Sequence, residues 1–167
     1  YTSYPPVPDW RQPPELSDWL SSVRLSNLND GGVDLYFHIP YCQELCWYCG
    51  CNRVIKKDQQ HGEAYVSLLV KEWKHYLEHI PGLKINSIHF GGGTPNYLLA
   101  KDFSRLLELL RPYFTDRYFG SIEIDPRTIT DDFLKAMKKY SLNRVSMGIQ
   151  DFDIEVQKSI NRIQPVT

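Results

Sequence analysis

All four cysteines of the 167-residue chain fall within ten residues, Cys42 to Cys51, in the stretch Leu35–Asn52. A secreted disulfide framework spreads its cysteines to staple distant parts of a chain, whereas crowding them into one loop suits a chelator of one soft metal centre. Cys42, Cys46 and Cys49 follow C-x3-C-x2-C, and Cys51 adds a C-x-C. Thiolates select zinc, copper(I) or iron–sulfur clusters. Zinc sites usually pair two C-x2-4-C knuckles from separated parts of a chain, and no second knuckle exists here. Three thiolates in one loop fit three corners of a [4Fe–4S] cube and leave one iron for a non-protein ligand. The spacing therefore favours a cluster. Zinc with Cys51 as fourth ligand stays open, and two local disulfides come third.

Composition narrows the class. With 42% hydrophobic residues, 13% aromatic residues and net charge -1, the chain reads as a soluble globular domain able to bury a core. No run of eighteen apolar residues suggests a membrane span, and near-neutral charge without a basic run argues against nucleic acid as the main partner. Clustered thiols suggest a reducing, cytoplasmic compartment. Starting at Tyr1 without methionine, the chain is read as a piece of a longer protein.

The pattern divides at residue 30. Residues 1–30 read as an arm and a short helix: five of eleven prolines lie in the first fourteen positions, which fixes an extended conformation, with Tyr1, Tyr4 and Trp10 as anchors. Leu16, Trp19, Leu20 and Val23 then recur at helical spacing, as on a helix packed against the next domain. Residues 31–167 alternate strands and helices. Strands are expected at Val33–Ile39, Ile85–Phe90, Ser121–Asp125 and Arg144–Gly148. Helices are expected at Gln59–Ile80, Leu98–Phe114, Asp131–Tyr140 and Asp153–Ile160. Four strand–loop–helix units predict an α/β fold with a parallel sheet, and ligands gather at the carboxyl ends of such strands.

That rim would carry three further motifs. Gly91-Gly92-Gly93-Thr94-Pro95 follows the second strand, where glycines let backbone approach a ligand; alone, such a run equally serves a tight strand-to-helix connection. In Ser121–Pro126, alternation sets Glu123 and Asp125 on one face, to be paired by a ligand or left in water on an edge strand. Gln150 ends the fourth strand, and Arg162 could grip a carboxylate bidentately. Tyr36 and His38 share a strand face. His75 and His79 are i, i+4 on a helix, without the acid of an H-E-x-x-H motif between them.

C-x3-C-x2-C directly after a strand resembles the signature of the radical S-adenosylmethionine (SAM) superfamily. The longer string from Tyr36-Phe37-His38-Ile39-Pro40 through Gly50-Cys51-Asn52 is similar to the oxygen-independent coproporphyrinogen III oxidases of heme biosynthesis. The resemblance implies a partial TIM-like (β/α) barrel of parallel strands, with Cys42, Cys46 and Cys49 holding three irons of a [4Fe–4S] cluster and SAM on the fourth. It implies SAM contacts at Tyr36, Gly92, Gly93, Thr94 and Glu123. Gln150 and Arg162, with the backbone around Tyr48, Gly93 and Thr94, would bind a second SAM molecule. His38 is a lesser candidate, Tyr1 to Pro5 a substrate-side one, and Cys51 and Asp125 receive no role.

The activity so implied is decarboxylation of two propionates of coproporphyrinogen III to vinyl groups, started by hydrogen abstraction by a 5′-deoxyadenosyl radical and giving protoporphyrinogen IX. Partners would be that substrate and an electron donor such as flavodoxin or ferredoxin. The full-length enzyme would be a cytoplasmic monomer, and this portion by itself inactive. The superfamily's heme chaperones, and a zinc-stabilised structural module, are the other readings.

Overall fold

A computed structural model of the chain describes residues 13–164. The expected proline-rich arm, with Tyr1 to Pro5 and Trp10, lies outside the described residues. Helix α1 (Leu16–Asp30) ends on Gly31 in the left-handed conformation, φ 70°. Strand β1 (Val33–Ile39) follows, then two short strands, β2 (Tyr41–Cys42) and β3 (Val54–Ile55), and helix α2 (His61–His79). The remainder runs β4 (Ile85–Gly92), α3 (Ala100–Leu110), β5 (Phe114–Ile124), α4 (Asp131–Lys139), β6 (Leu142–Met147) and α5 (Ile154–Ser159).

Strands β1, β4, β5 and β6 form one sheet in the order β1-β4-β5-β6, every pairing parallel. The α/β class and the parallel sheet follow the sequence expectation. Its period-two alternation sorts the side chains cleanly. Phe37, Ile39, Ile88, Phe90 and Ile122 point to one face and are buried there. The register row Tyr36–His89–Ser121–Arg144 and the pair Glu123–Ser146 occupy the other face.

Helices α2, α3 and α4 cover the apolar face. On α3, Phe103, Leu106, Leu107 and Leu110 recur at i, i+3, i+4 and i+7 and are fully buried, the stripe expected of a helix lying on a sheet. Phe103 meets Phe90 edge-on at 5.0 Å and stacks on Phe133 of α4 at 4.4 Å. Helix α1 sits at the margin: Leu20 and Val23 pack on the core, but Leu16 and Trp19 stay exposed. It is held mainly by hydrogen bonds, Trp19 Nε1 donating to Tyr76 Oη at 3.0 Å and Arg24 to the His79 carbonyl at 3.0 Å.

Two boundaries differ from the sequence expectation by more than two residues. Helix α3 stops at Leu110 instead of Phe114, giving way to one 3-10 turn over Arg111–Tyr113. Pro112 explains this, since it lacks an N–H and its ring clashes with the preceding turn. Strand β5 then begins at Phe114, seven residues before the expected Ser121, and lies between β4 and β6, so it is not an edge strand.

One strand residue is poorly matched to its surroundings. The buried Tyr118 hydroxyl has no hydrogen-bond partner, and burial pushes its pKa up to about 12. A raised folded pKa means this tyrosine's stability contribution is intact below about pH 10 and is lost as pH climbs toward the folded value. Tyr118→Phe, which removes the unpaired hydroxyl, is expected to raise stability by roughly 1 kcal/mol at neutral pH and more in alkali. Denaturant melts at two pH values check this; a less stable variant would contradict it.

Candidate cluster and cofactor site

The cysteine loop is an excursion between β2 and β3, closed at its base by Val54 N–H to the Pro40 carbonyl at 2.7 Å and Lys56 N–H to the Cys42 carbonyl at 2.9 Å. This small parallel pairing, Tyr41–Val54 and Cys42–Ile55, lets residues 43–53 project past the end of β1. Three other parts of the chain grip the projection. His38 Nε2 lies 2.8 Å from the Asn52 carbonyl, and Thr94 Oγ1 donates to Cys42 Sγ at 3.2 Å. Trp47 N–H donates to the Ile160 carbonyl at 3.0 Å and Asn161 Nδ2 to the Leu45 carbonyl at 2.7 Å. Arg162 reaches Cys46 Sγ at 3.6 Å and the Gly148 carbonyl at 2.7 Å.

All four cysteines are free thiols, which removes the local-disulfide reading. Their spread also bears on the metal. A zinc ion with Zn–S bonds of about 2.3 Å keeps any two of its sulfurs within roughly 4.6 Å. Among the described residues no three cysteine sulfurs lie within 4.8 Å of one another. A cube instead bonds each thiolate to a different iron and needs the wider spread. The Cys42 thiol is held above its ordinary pKa, first by burial and then by Cys49, Cys46 and Asp125, with the Thr94 hydrogen bond opposing. A thiol so placed ionises readily only against a cationic centre.

The loop, the glycine run and the ends of β5 and β6 enclose one cleft of about 490 Å³. It is lined by Cys42, Cys46, Cys49, Tyr48, Gly92, Gly93, Thr94, Glu123, Gln150 and Arg162, so ten of the eleven expected site residues share one wall. The eleventh, Tyr36, stands beside it on the open face of the sheet. Its ring stacks on His89 at 5.7 Å, and its hydroxyl lies 3.1 Å from His38 Nδ1. For a neutral imidazole, Nε2 facing a carbonyl must carry the proton, so Nδ1 accepts and the Tyr36 hydroxyl donates to it. His89 links Tyr36 to the acid: its Nδ1 lies 2.8 Å from Ser121 Oγ and its Nε2 3.7 Å from Glu123 Oε1.

Glycine is required at position 93. A Cβ there would lie 2.9 Å from the Tyr41 carbonyl oxygen and 3.0 Å from both Cys42 Sγ and the Ile39 carbonyl oxygen. Two of those three neighbours are backbone and cannot turn aside. Gly93→Ala is expected to cost about 1–3 kcal/mol and to displace Cys42. Thermal melts together with iron content after anaerobic loading check this, and unchanged values of both would contradict it.

The third expected constellation needs correction. Asp125 neither waits for a ligand nor lies in water; it is buried just beyond β5 and already paired. Arg127 donates to it from Nε and NH2, the latter at 2.6 Å, and Arg162 NH1 stands 3.5 Å away. Burial alone would raise this carboxyl's pKa, but the Arg127 hydrogen bonds and the Arg127 and Arg162 charges outweigh it and hold the pKa low. Arg127 also reaches Glu44 on the cysteine loop at 3.5 Å. Asp125 thus ties the end of β5 to the loop and to Arg162.

The sequence reading does not single out Arg127, Arg53 or His89. His89 could have been found from alternation, because the apolar Ile88 and Phe90 leave it on the side of Glu123. Gln150 takes a left-handed φ of 66°, a conformation that glutamine rarely adopts and that turns the chain back toward the cleft. Two cleft guanidiniums, Arg53 and Arg162, each keep a buried Nε without a partner. These two free N–H donors beside a cluster of thiols suit a ligand that carries a carboxylate.

Comparison with known proteins agrees with this geometry. The model of the radical SAM superfamily matches residues 36–166. The chain belongs to the radical SAM superfamily. Membership implies a [4Fe–4S] cluster and SAM, and the three spread thiolates, the glycine-lined wall and the two free Nε–H donors fit that pair. Among similar proteins, the oxygen-independent coproporphyrinogen III oxidase of Salmonella typhimurium is 39% identical over 98% of this chain and 36% of its own length. The Pseudomonas aeruginosa protein of the same name is 37% identical over 98% of this chain and 37% of its own. The solved coproporphyrinogen III oxidase of Escherichia coli, a radical SAM enzyme, superposes with a TM-score of 0.86 at 37% identity, covering 98% of this chain and 38% of that one. This radical SAM chain therefore spans a little over a third of the length of the relatives it matches. Among the described residues no helix is long and apolar enough to cross a membrane.

Proposed function

We propose that this chain forms the cluster- and SAM-holding portion of an oxygen-independent coproporphyrinogen III oxidase, which converts two propionates of coproporphyrinogen III to vinyl groups with loss of CO2. The observation that carries the reading is the convergence of Cys42, Cys46, Cys49, Gly93, Thr94, Glu123, Gln150 and Arg162 on one cleft. The names of the similar proteins support coproporphyrinogen III as the substrate.

In this reading Cys42, Cys46 and Cys49 each hold one iron, and Cys51, exposed, holds none. The cluster with SAM supplies the one-electron chemistry that removes hydrogen from an unactivated carbon. The chain's own residues bind and orient. Gly92 and Gly93 let the backbone approach the amino end of SAM, and Thr94 fixes Cys42 through its hydroxyl. Glu123, braced by His89, and Tyr36, stacked on it, form the wall on the open sheet face. Gln150 and Arg162, with the backbone at Tyr48, would bind a second SAM molecule. A flavodoxin- or ferredoxin-like donor, a monomeric state and a cytoplasmic location complete the proposal. By itself the chain does not turn over substrate, since it matches little more than a third of its relatives.

An anaerobic assay of the natural protein carrying this sequence, with coproporphyrinogen III, SAM and a reductant, tests the reading. Vinyl products with methionine and deoxyadenosine support it. Stable heme binding without a vinyl product would overturn it in favour of a heme chaperone.

A further inference from the structure

We propose that His75, Glu78 and His79, on the last turn of α2, form a second metal site, for one divalent ion of borderline softness such as zinc. The site lies at the opposite end of the sheet from the cysteine cleft, since α2 leads into the start of β4 and the cleft lies beyond its end. The three side chains are exposed, and their ligand atoms all lie within 4.8 Å of one another. Among the described residues no other trio of potential ligands does so. Modest rotamer adjustment of exposed side chains brings them to the separations that Zn–N and Zn–O bonds of about 2.0–2.2 Å allow.

A second observation concerns the protonation of the imidazole. His79 Nδ1 lies 2.9 Å from the His75 carbonyl. A carbonyl only accepts, so Nδ1 carries the proton and Nε2 is left with its lone pair. Donating the other ring N–H to a backbone carbonyl is how metal-binding histidines are usually fixed in tautomer and orientation. The His75 and His79 rings sit 4.3 Å apart, as the i, i+4 spacing requires.

Charge points the same way. The C-terminal end of a helix carries partial negative charge, and Glu78 adds a full one, so a cation is favoured there. Arg24 engages the His79 carbonyl, not the side chains. Two imidazoles and a carboxylate suit zinc over the hard ions magnesium and calcium. The string His75-Tyr76-Leu77-Glu78-His79 places its acid outside the H-E-x-x-H order, so the sequence motif alone does not reveal it. A bound ion would cross-link the final turn of α2, where α1 docks through Trp19 and Arg24.

Zinc titration of the anaerobic, cluster-loaded protein by calorimetry tests this, with cluster absorbance followed in parallel. The expected result is one zinc per chain with intact cluster absorbance, and at least tenfold weaker binding in His75→Ala and in His79→Ala. Both positions are exposed, and circular dichroism confirms folding of the variants. Zinc should raise the melting temperature of the wild type and not of the variants. No zinc uptake, or uptake equal in wild type and both variants, would overturn the proposal.

Discussion

Alanine at Cys42, Cys46 or Cys49, one position at a time, is expected to abolish iron loading and deoxyadenosine release in the natural protein. Each thiolate projects from a different part of a loop held at its base by the β2–β3 pairing and at its tip by α5 and Arg162. Because the three sulfurs are spread, no neighbour takes over a vacated corner. Exposed Cys51 is near in sequence, yet it stands outside the C-x3-C-x2-C spacing, so it makes a poor substitute. The loss should exceed the roughly 10–100-fold typical for removing an outer-shell partner, the effect expected for Thr94→Val. Cys51→Ala should retain its cluster. Iron and sulfide analysis with deoxyadenosine chromatography checks the series. Full iron in any of the three ligand variants would contradict it.

Replacing Asp125 with alanine is expected to destabilise the fold by about 3–5 kcal/mol and to loosen the cysteine loop. The carboxylate faces two guanidiniums, and the side chains of Asp125, Arg127 and Arg162 are only 10%, 16% and 9% exposed. Removing the anion leaves the buried Arg162 without its carboxylate and Arg127 with only the more distant Glu44, which costs more than the pairs themselves contribute. The acid dependence has a definite sign. With its folded pKa held below the ordinary carboxylate range, Asp125 contributes fully at neutral pH and loses its contribution as pH falls through that low value. Melts should therefore separate wild type from Asp125→Ala most at neutral pH and converge in strong acid. A gap that stays constant with pH would show that the carboxylate charge is not what holds these elements together.

Much of this was legible in the chain. The spacing of Cys42, Cys46 and Cys49 and the alternation of strand and helix fixed the location of the site, because parallel strands send their following loops to one rim. Period-two alternation placed Tyr36 with His38. It failed at Asp125 because that residue lies beyond the last strand pair, where the Asp-Pro turn and not the pleat sets its direction. The arginine that claims it, Arg127, sits only two positions on, but a guanidinium folding back onto a preceding carboxylate leaves no periodic signature. Strand β5 was underestimated because its first half, Phe114 to Gly120, mixes aromatic and charged residues without alternation. The grip of Asn161 and Arg162 on Leu45 and Cys46 spans 116 residues, a separation at which pattern says nothing.

The most direct test of the central claim is iron and sulfide analysis with electron paramagnetic resonance of the anaerobically prepared, reduced natural protein, recorded with and without SAM. The cleft geometry predicts about four irons and four sulfides per chain and a cluster signal that changes when SAM is added, as an open iron acquires a new ligand. Zinc in place of iron, or a cluster signal indifferent to SAM, would contradict it.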